Sequence, residues 1–255
     1  VYVWFDALIN YVSAAGWPNS LKKFKSWWPV VQLAGKDNLR QQSAMWQAML
    51  MSAKIKPSKQ IFINGFINVE GQKMSKSLGN VISPYDMVEK FGTDGTRYLL
   101  LSFGNYGEDM DVSWKKFTEK YNADLANGLG NLVSRVIKLA QILPLKRDPA
   151  KAVANYEKTD KSKSQISKLI SKMELGRALE SIWHIIREDN KFIEDNKPWE
   201  LAKNDKKKFE KVMKKLLNDL SEISFLIPPF LPETAEKIRE ALKTGKLSIL
   251  FPRIK

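Results

Sequence analysis

Two hydrophobic rhythms divide this chain near Trp114. Before it, short β-branched and aromatic runs alternate with helical stretches. Val30–Ala34 is predicted as a buried strand and Asn38–Ala53 as a helix with few breakers. Ile61–Ile63 and Phe66–Val69 read as strand, turn, strand, and Pro84 with the pattern from Tyr85 to Phe91 opens a helix. The first residues, Val1–Asp6 (VYVWFD), read as the middle of a buried strand, so the chain is expected to begin inside a domain. Such alternation predicts an α/β unit with a parallel sheet. After Trp114 the strand signals stop. Ser113 or a neighbour caps a long helix whose apolar positions, Tyr121, Leu125, Leu129, Leu132, Val136 and Leu139, recur at helical spacing up to Pro144. A polar, lysine-rich link from Lys146 to Lys163 leads to helices around Ser164–Asn196, Asp205–Leu226 and Pro232–Lys243. Together they predict a helical bundle, with Pro228, Pro229 and Pro232 separating the last two helices.

Composition narrows the classes. The 255 residues suffice for one large or two smaller domains, and 44% hydrophobic with 27% charged residues is ordinary for a globular protein. No apolar run approaches the roughly 18 residues of a membrane span, and the N-terminus is too polar for a secretory signal. Cysteine is absent and His184 is the only histidine, so disulfides, cysteine zinc sites and histidine-pair metal sites are excluded and no metal site is expected. His184, between apolar residues, reads as a bundle residue. The net charge of +14 is uneven: 12 Lys and Arg stand against 9 Asp and Glu up to Trp114, and 30 against 19 afterwards. So basic a second half predicts a polyanionic partner, although Lys206–Lys208 alone reads as a solubilising surface. Asp109 and Asp111 precede the Ser113 helix start, where carboxylates suit the helix dipole. Gly128 and Gly130 weaken the long helix by up to ~1 kcal/mol each against alanine, which suggests close approach of another helix or of RNA.

The most specific stretch is Gly71–Asn80, GQKMSKSLGN. A glycine-edged loop with two ammonium groups suits a polyanion whose charge grows during reaction. Its core, KMSKS, resembles the signature loop of class I aminoacyl-tRNA synthetases, which closes on the triphosphate of ATP. That resemblance makes Lys73 and Lys76 the catalytic lysines, Lys76 foremost, with Ser75 and Ser77 supporting the loop.

Other segments resemble the methionyl-tRNA synthetase family over nearly the whole chain. VWFDA at Val3–Ala7 resembles the stretch lining the methionine pocket. Ala34–Asp37 with Leu39–Arg40 resembles the adenylate-contacting GKDILRFH segment, and Trp46–Met51 its continuation. The resemblance implies a methionine site of Trp4, Ala7, Leu8, Tyr11, Gln42 and Trp46, where flat aromatic walls suit a thioether. It implies ATP contacts from Gly35, Lys36, Asp37 and Gly65 besides the loop residues Lys73, Ser75, Lys76 and Ser77. Where the family has Phe-His, this chain has Gln41-Gln42, and Gln32 and Asn64 also stand where histidine is common. The family's HIGH motif is absent, so this chain is expected to be a C-terminal portion, inactive by itself, and any zinc belongs to the part that precedes it.

In the second half, Asn127, Asn131 and Arg135 are spaced i, i+4, i+8 and stack along one helical face over roughly 12 Å. Lys197-Pro198-Trp199 offers a proline-fixed stacking platform for an unstacked base. Together they resemble the family's NxxxNxxxR helix and KPW turn, which contact the CAU anticodon. The implied fold is an α/β Rossmann-like catalytic half-domain (residues 1–60), a KMSKS-bearing region (61–114) and an all-α anticodon-binding bundle (115–255). The implied function is methionine–tRNA ligase, using ATP with Mg²⁺, methionine and tRNA(Met), as a cytoplasmic monomer. The alternatives are a tRNA anticodon-binding module without catalysis and another class I synthetase, the latter disfavoured by the Asn127, Asn131, Arg135 and Trp199 set.

Overall fold

The computed structural model describes residues 2–104, 107–143 and 161–255, without the side chains of Lys76 and of residues 161–163. Pro144 and most of the lysine-rich link therefore lie outside the described residues. Contacts divide the chain into two units, Val1–Asn68 with Tyr106–Met110, and Val69–Asn105 with Asp111–Lys255.

The first unit opens with helices α1 (Val3–Ala7), α2 (Asn10–Ala15) and α3 (Leu21–Trp27), not with the predicted strand. A helical repeat overrides the β-propensity of VYVWF: Trp4, Leu8, Val12 and Ala15 recur every three to four residues, and the last three are buried. Strand β1 (Val31–Gly35) pairs in parallel with β2 (Gln60–Asn64), Val31 opposite Gln60 and Gly35 opposite Asn64. A parallel sheet was predicted and is found, but β1 is not the buried strand that was expected. Gln32 is the buried position of β1, while Val31 and Leu33, on the other face, are 47% and 59% exposed. The predicted helix from Asn38 is three pieces: a 3₁₀ turn at Lys36–Asn38, a π-helical turn at Gln41–Met45 and α4 (Trp46–Ser52). Leu8, Val12, Ala15, Trp28, Trp46 and Leu50 form this unit's core. Glu108 and Asp109 press so closely on Gly65 that a Cβ there would lie 2.1 Å from the Glu108 carbonyl oxygen, so only glycine fits.

Strands β3 (Ile67–Val69), β4 (Gln72–Lys73) and β5 (Met110–Val112) form a sheet in the order β4–β3–β5. Glu70 and Gly71, both at positive φ, make the tight two-residue turn between β3 and β4.

The second unit holds the helices predicted after Trp114 together with the lysine loop and the helix opened by Pro84. Helix α5 (Pro84–Ser102), capped by the Ser83 hydroxyl, is interrupted at Gly92, whose φ is +70°. From Ser113, which caps α6 (Trp114–Lys120), the helix runs through a π-helical stretch (Tyr121–Gly130) into α7 (Asn131–Ala140). This stretch explains its glycines. Wider turns bring carbonyls five residues back against each Cβ, and a Cβ on Gly130 would lie 2.9 Å from the Leu125 oxygen. The predicted approach of a neighbour holds in part: Phe251 stands against Gly130, and Asn190 donates to the Gly128 carbonyl. The next predicted helix is two, α8 (Lys161–Ser171) and α9 (Leu175–Asn196), parted where Met173 takes a left-handed conformation. A short α10 (Pro198–Asn204) precedes α11 (Lys206–Leu226) and α12 (Pro232–Thr244). Buried stripes at helical spacing (Ile182, Ile186 and Ile193; Val212, Leu216, Leu220 and Ile223; Ala235, Ile238 and Leu242) close the core. Asp94 on α5 accepts from the Thr234 N–H and hydroxyl, capping α12. His184 is exposed on α9 rather than packed in the bundle. Among the described residues no helix is long and apolar enough to cross a membrane.

Besides Asp94, a second carboxylate is buried in this bundle. Asp189 on α9 accepts a 2.8 Å hydrogen bond from Lys215 on α11, which also bonds Asp219. Burial pushes the Asp189 carboxyl up to about 7, against the opposing pull of Lys215 and with the help of Asp219. Its folded pKa exceeds its unfolded one, so this contribution to stability is complete below about pH 4 and is lost as pH rises through about 7. Asp189→Asn is expected to remove that loss. Melting temperatures of the two proteins should diverge in favour of the variant from pH 4 to 8, and a constant difference would contradict the burial argument.

Candidate functional site

In the first unit, the predicted pocket residues converge. Leu8 and Trp46 are in the core, with Trp4 and Tyr11 packed against it. Tyr11 and Trp46 rings lie 5.9 Å apart, and Trp46 meets Trp28 edge-on at 6.4 Å. Ala7 is half-buried in the turn before Leu8, and Gln42 is 3% exposed. The π turn at Gln41–Met45 carries Gln42 into a hydrogen bond to Tyr11, its Nε2 donating to the phenol oxygen at 3.0 Å. Sequence reasoning missed the polar partners behind it. Gln32 Nε2 donates to Gln42 Oε1 at 3.1 Å, Ser58 reaches Gln32, and Gln47 touches both Ser58 and the Gln42 carbonyl. The signal was present in Gln32, an amide between Val31 and Leu33 in a strand-like run.

The Gly35–Asp37 turn and Gly65 lie in the same unit. The Asp37 carboxylate folds over Gly35, whose Cβ would lie 2.8 Å from it. Lys36 pairs with Asp109 at 3.2 Å and stands over the Phe66 ring. The Phe66 N–H, and then Lys36, hold the Asp109 carboxyl below the usual range. Asp109 thus staples a loop rather than serving the helix dipole. Asp111 does likewise in the second unit, bonding Lys116 and the Gly71 N–H, which lower its pKa in that order.

The lysine loop is tied to itself. Gly71 and Gly79 take φ of +77° and +64°, and Lys76–Leu78 form a 3₁₀ turn. The Ser75 N–H donates to Asn80 Oδ1 at 2.8 Å, the Ser75 and Ser77 hydroxyls share a 2.7 Å hydrogen bond, and Asn80 donates to the Lys73 carbonyl. Lys73 is exposed. The serines and Asn80 shape the loop, and Asn80 is the partner that spacing did not reveal.

The bundle brings together the residues expected to read nucleic acid. Arg135 pairs with Glu194 at 2.6 Å, and its guanidinium sits 5.5 Å from the centre of the Trp199 ring, itself 40% exposed. Exposed Asn127 and Asn131 line the same cleft of about 380 Å³, with Arg187, Asn190 and Lys191 opposite. Those partners on α9 carried a readable signal: Trp183, Arg187 and Lys191 repeat the four-residue spacing of Asn127, Asn131 and Arg135. In an α-helix each such step drifts by about 40°, and the wider π turn at Asn127 offsets it. Tyr98, stacked on Trp183 at 4.4 Å, donates to Asp124 and steadies the cleft floor. Asn122 forms two hydrogen bonds with the Ile254 backbone and so pins the C-terminal segment.

A family model described as tRNA synthetases class I (M) matches residues 1–137, and one described as the anticodon binding domain of methionyl tRNA ligase matches residues 148–252. The methionine–tRNA ligase of Fusobacterium nucleatum is 39% identical, aligned over 99% of this chain and 45% of its own length. That of Rickettsia typhi is 33% identical over 100% and 52%. A solved structure of Mycobacterium tuberculosis methionyl-tRNA synthetase in complex with methionyl-adenylate superposes with a TM-score of 0.80 at 30% identity, covering 100% of this chain and 55% of its own. The chain thus spans about half the length of these relatives. The two family matches, relatives more than 30% identical over nearly the whole chain and the shared fold place this chain in the methionyl-tRNA synthetase family of class I tRNA synthetases.

Proposed function

We propose that the polypeptide carrying this chain is a methionine–tRNA ligase. The methionine carboxylate attacks the α-phosphate of ATP in line and pyrophosphate leaves. The tRNA 3′-terminal hydroxyl then attacks the carbonyl of methionyl-adenylate, and AMP leaves. The observation that carries this reading is Arg135 set over Trp199 beside exposed Asn127 and Asn131. Two amides and a guanidinium suit base edges, and the indole suits a stacked base. That combination favours the CAU anticodon of tRNA(Met) as ligand of the bundle, residues 115–255.

ATP enters as its Mg²⁺ complex. On this reading the metal is carried on the nucleotide phosphates. Lys73 and Lys76 would stabilise the departing pyrophosphate, with Ser75 and Ser77 holding the loop. The Gly35 and Gly65 backbone, Lys36 and Asp37 would contact the adenylate. Trp4, Ala7, Leu8, Tyr11, Gln42 and Trp46 would line the methionine side chain. We read the protein as a cytoplasmic monomer.

The test uses two assays. The chain is expected to bind a CAU anticodon stem-loop more tightly than one with a changed anticodon at equal salt, and the full-length protein to exchange pyrophosphate into ATP only with methionine present. Loop discrimination without exchange would favour an anticodon-binding module without catalysis. Equal affinity for both loops would leave a non-specific basic bundle.

A further inference from the structure

The buried amides beside the pocket form a chain whose polarity can be followed atom by atom. It begins at Gln47, whose orientation is doubly determined: its Oε1 accepts from the Ser58 backbone N–H at 2.9 Å and its Nε2 donates to the Gln42 backbone carbonyl at 2.9 Å. Reversing this amide would set donor against donor and acceptor against acceptor. The second Gln47 proton goes to Ser58 Oγ at 3.3 Å, so the Ser58 hydroxyl already accepts and its own proton goes on to Gln32 Oε1. A reversed Gln32 would leave that proton without an acceptor. Gln32 therefore presents Nε2 to Gln42 Oε1, and Gln42 presents Nε2 to the Tyr11 oxygen. Since Tyr11 accepts, its own proton is directed elsewhere.

We propose that Gln47, Ser58 and Gln32 are positioning residues that set the proton direction of the pocket, so that Tyr11 offers its O–H as a donor to the bound amino-acid side chain. This rests on the reading of Tyr11 and Trp46 as walls of that site. An amide chain suits the task because none of its members changes charge near neutral pH, whereas histidine exchanges donor for acceptor with its tautomer. The donor selects a side chain that carries an acceptor at this depth. A thioether sulfur is one, though weak, and a methylene is not. The buried Trp46 Nε1, without a hydrogen-bond partner among the described residues, adds a second donor to the same cluster.

The experiment compares equilibrium binding of methionine and of norleucine, in which a methylene replaces the sulfur, to the full-length protein. Tyr11→Phe is expected to lower the methionine-to-norleucine affinity ratio by about 2- to 10-fold, the span of one neutral hydrogen bond. Ser58→Ala cuts the chain without touching ligand, and should lower the ratio towards that of Tyr11→Phe. Ser58→Thr, which keeps the hydroxyl, should restore it. A merely structural Ser58 would weaken both ligands alike and leave the ratio where it was. A ratio that falls in Tyr11→Phe but not in Ser58→Ala overturns the relay alone. A ratio that does not respond to Tyr11→Phe overturns the pocket reading beneath it. Should Ser58→Ala melt below the assay temperature, Gln32→Met removes the same link at similar volume and must give the same fall.

Discussion

Lys76→Ala is expected to slow methionyl-adenylate formation by about 10²–10³-fold, the usual consequence of removing one preorganised donor aimed at developing charge. The pyrophosphate leaving group gains charge as the α-phosphate is attacked, and the flexible stem of a lysine lets its ammonium follow it. The loop should survive the substitution. Its shape rests on the Ser75–Ser77 hydroxyl pair, on Asn80 and on the positive-φ glycines at either end. Methionine affinity should be unchanged, because the missing interaction belongs to the transition state and to phosphate rather than to the bound amino acid. Methionine-dependent pyrophosphate exchange by the full-length protein measures the first effect and equilibrium methionine binding the second. Wild-type exchange rates in the variant would take Lys76 out of the mechanism.

Trp199→Ala is expected to weaken binding of a CAU stem-loop by roughly 1–3 kcal/mol, the worth of one stacked base on an aromatic ring. The geometry makes this more than the loss of a platform. Arg135 lies over the indole and also pairs with Glu194, so removing the ring takes away one of the contacts that hold the guanidinium. Arg135→Ala should therefore weaken binding as well, and the two losses should be less than additive because the residues touch. Exchanging Lys206–Lys208 for glutamine serves as the contrast. These lysines are exposed at the start of α11, and their loss should reduce the salt slope without changing discrimination between loops. Titrations of matched and mismatched loops at fixed salt decide the matter. Full discrimination in Trp199→Ala would place the reading surface elsewhere.

What the sequence determined by itself is whatever depends on local order. The GQKMSKSLGN loop, the Ser113 cap and the Pro84 and Pro232 helix starts are encoded by residues close together in the chain, where spacing and capping chemistry act. The Asn127, Asn131 and Arg135 stripe was legible for the same reason. Tertiary structure decided the rest. VYVWF became helical because Leu8, Val12 and Ala15 supply a core, and burial outweighs intrinsic strand preference. The break at Met173 and the π turns depend on which faces pack, information that a smooth hydrophobic repeat does not contain. The side chains that complete each site (Glu194 against Arg135, Asp109 against Lys36, Gln32 and Ser58 behind Gln42) come from distant segments. A charge or an amide at a given position shows what it can bond. Only the fold, by bringing a buried partner within about 3 Å where water is excluded, settles what it does bond.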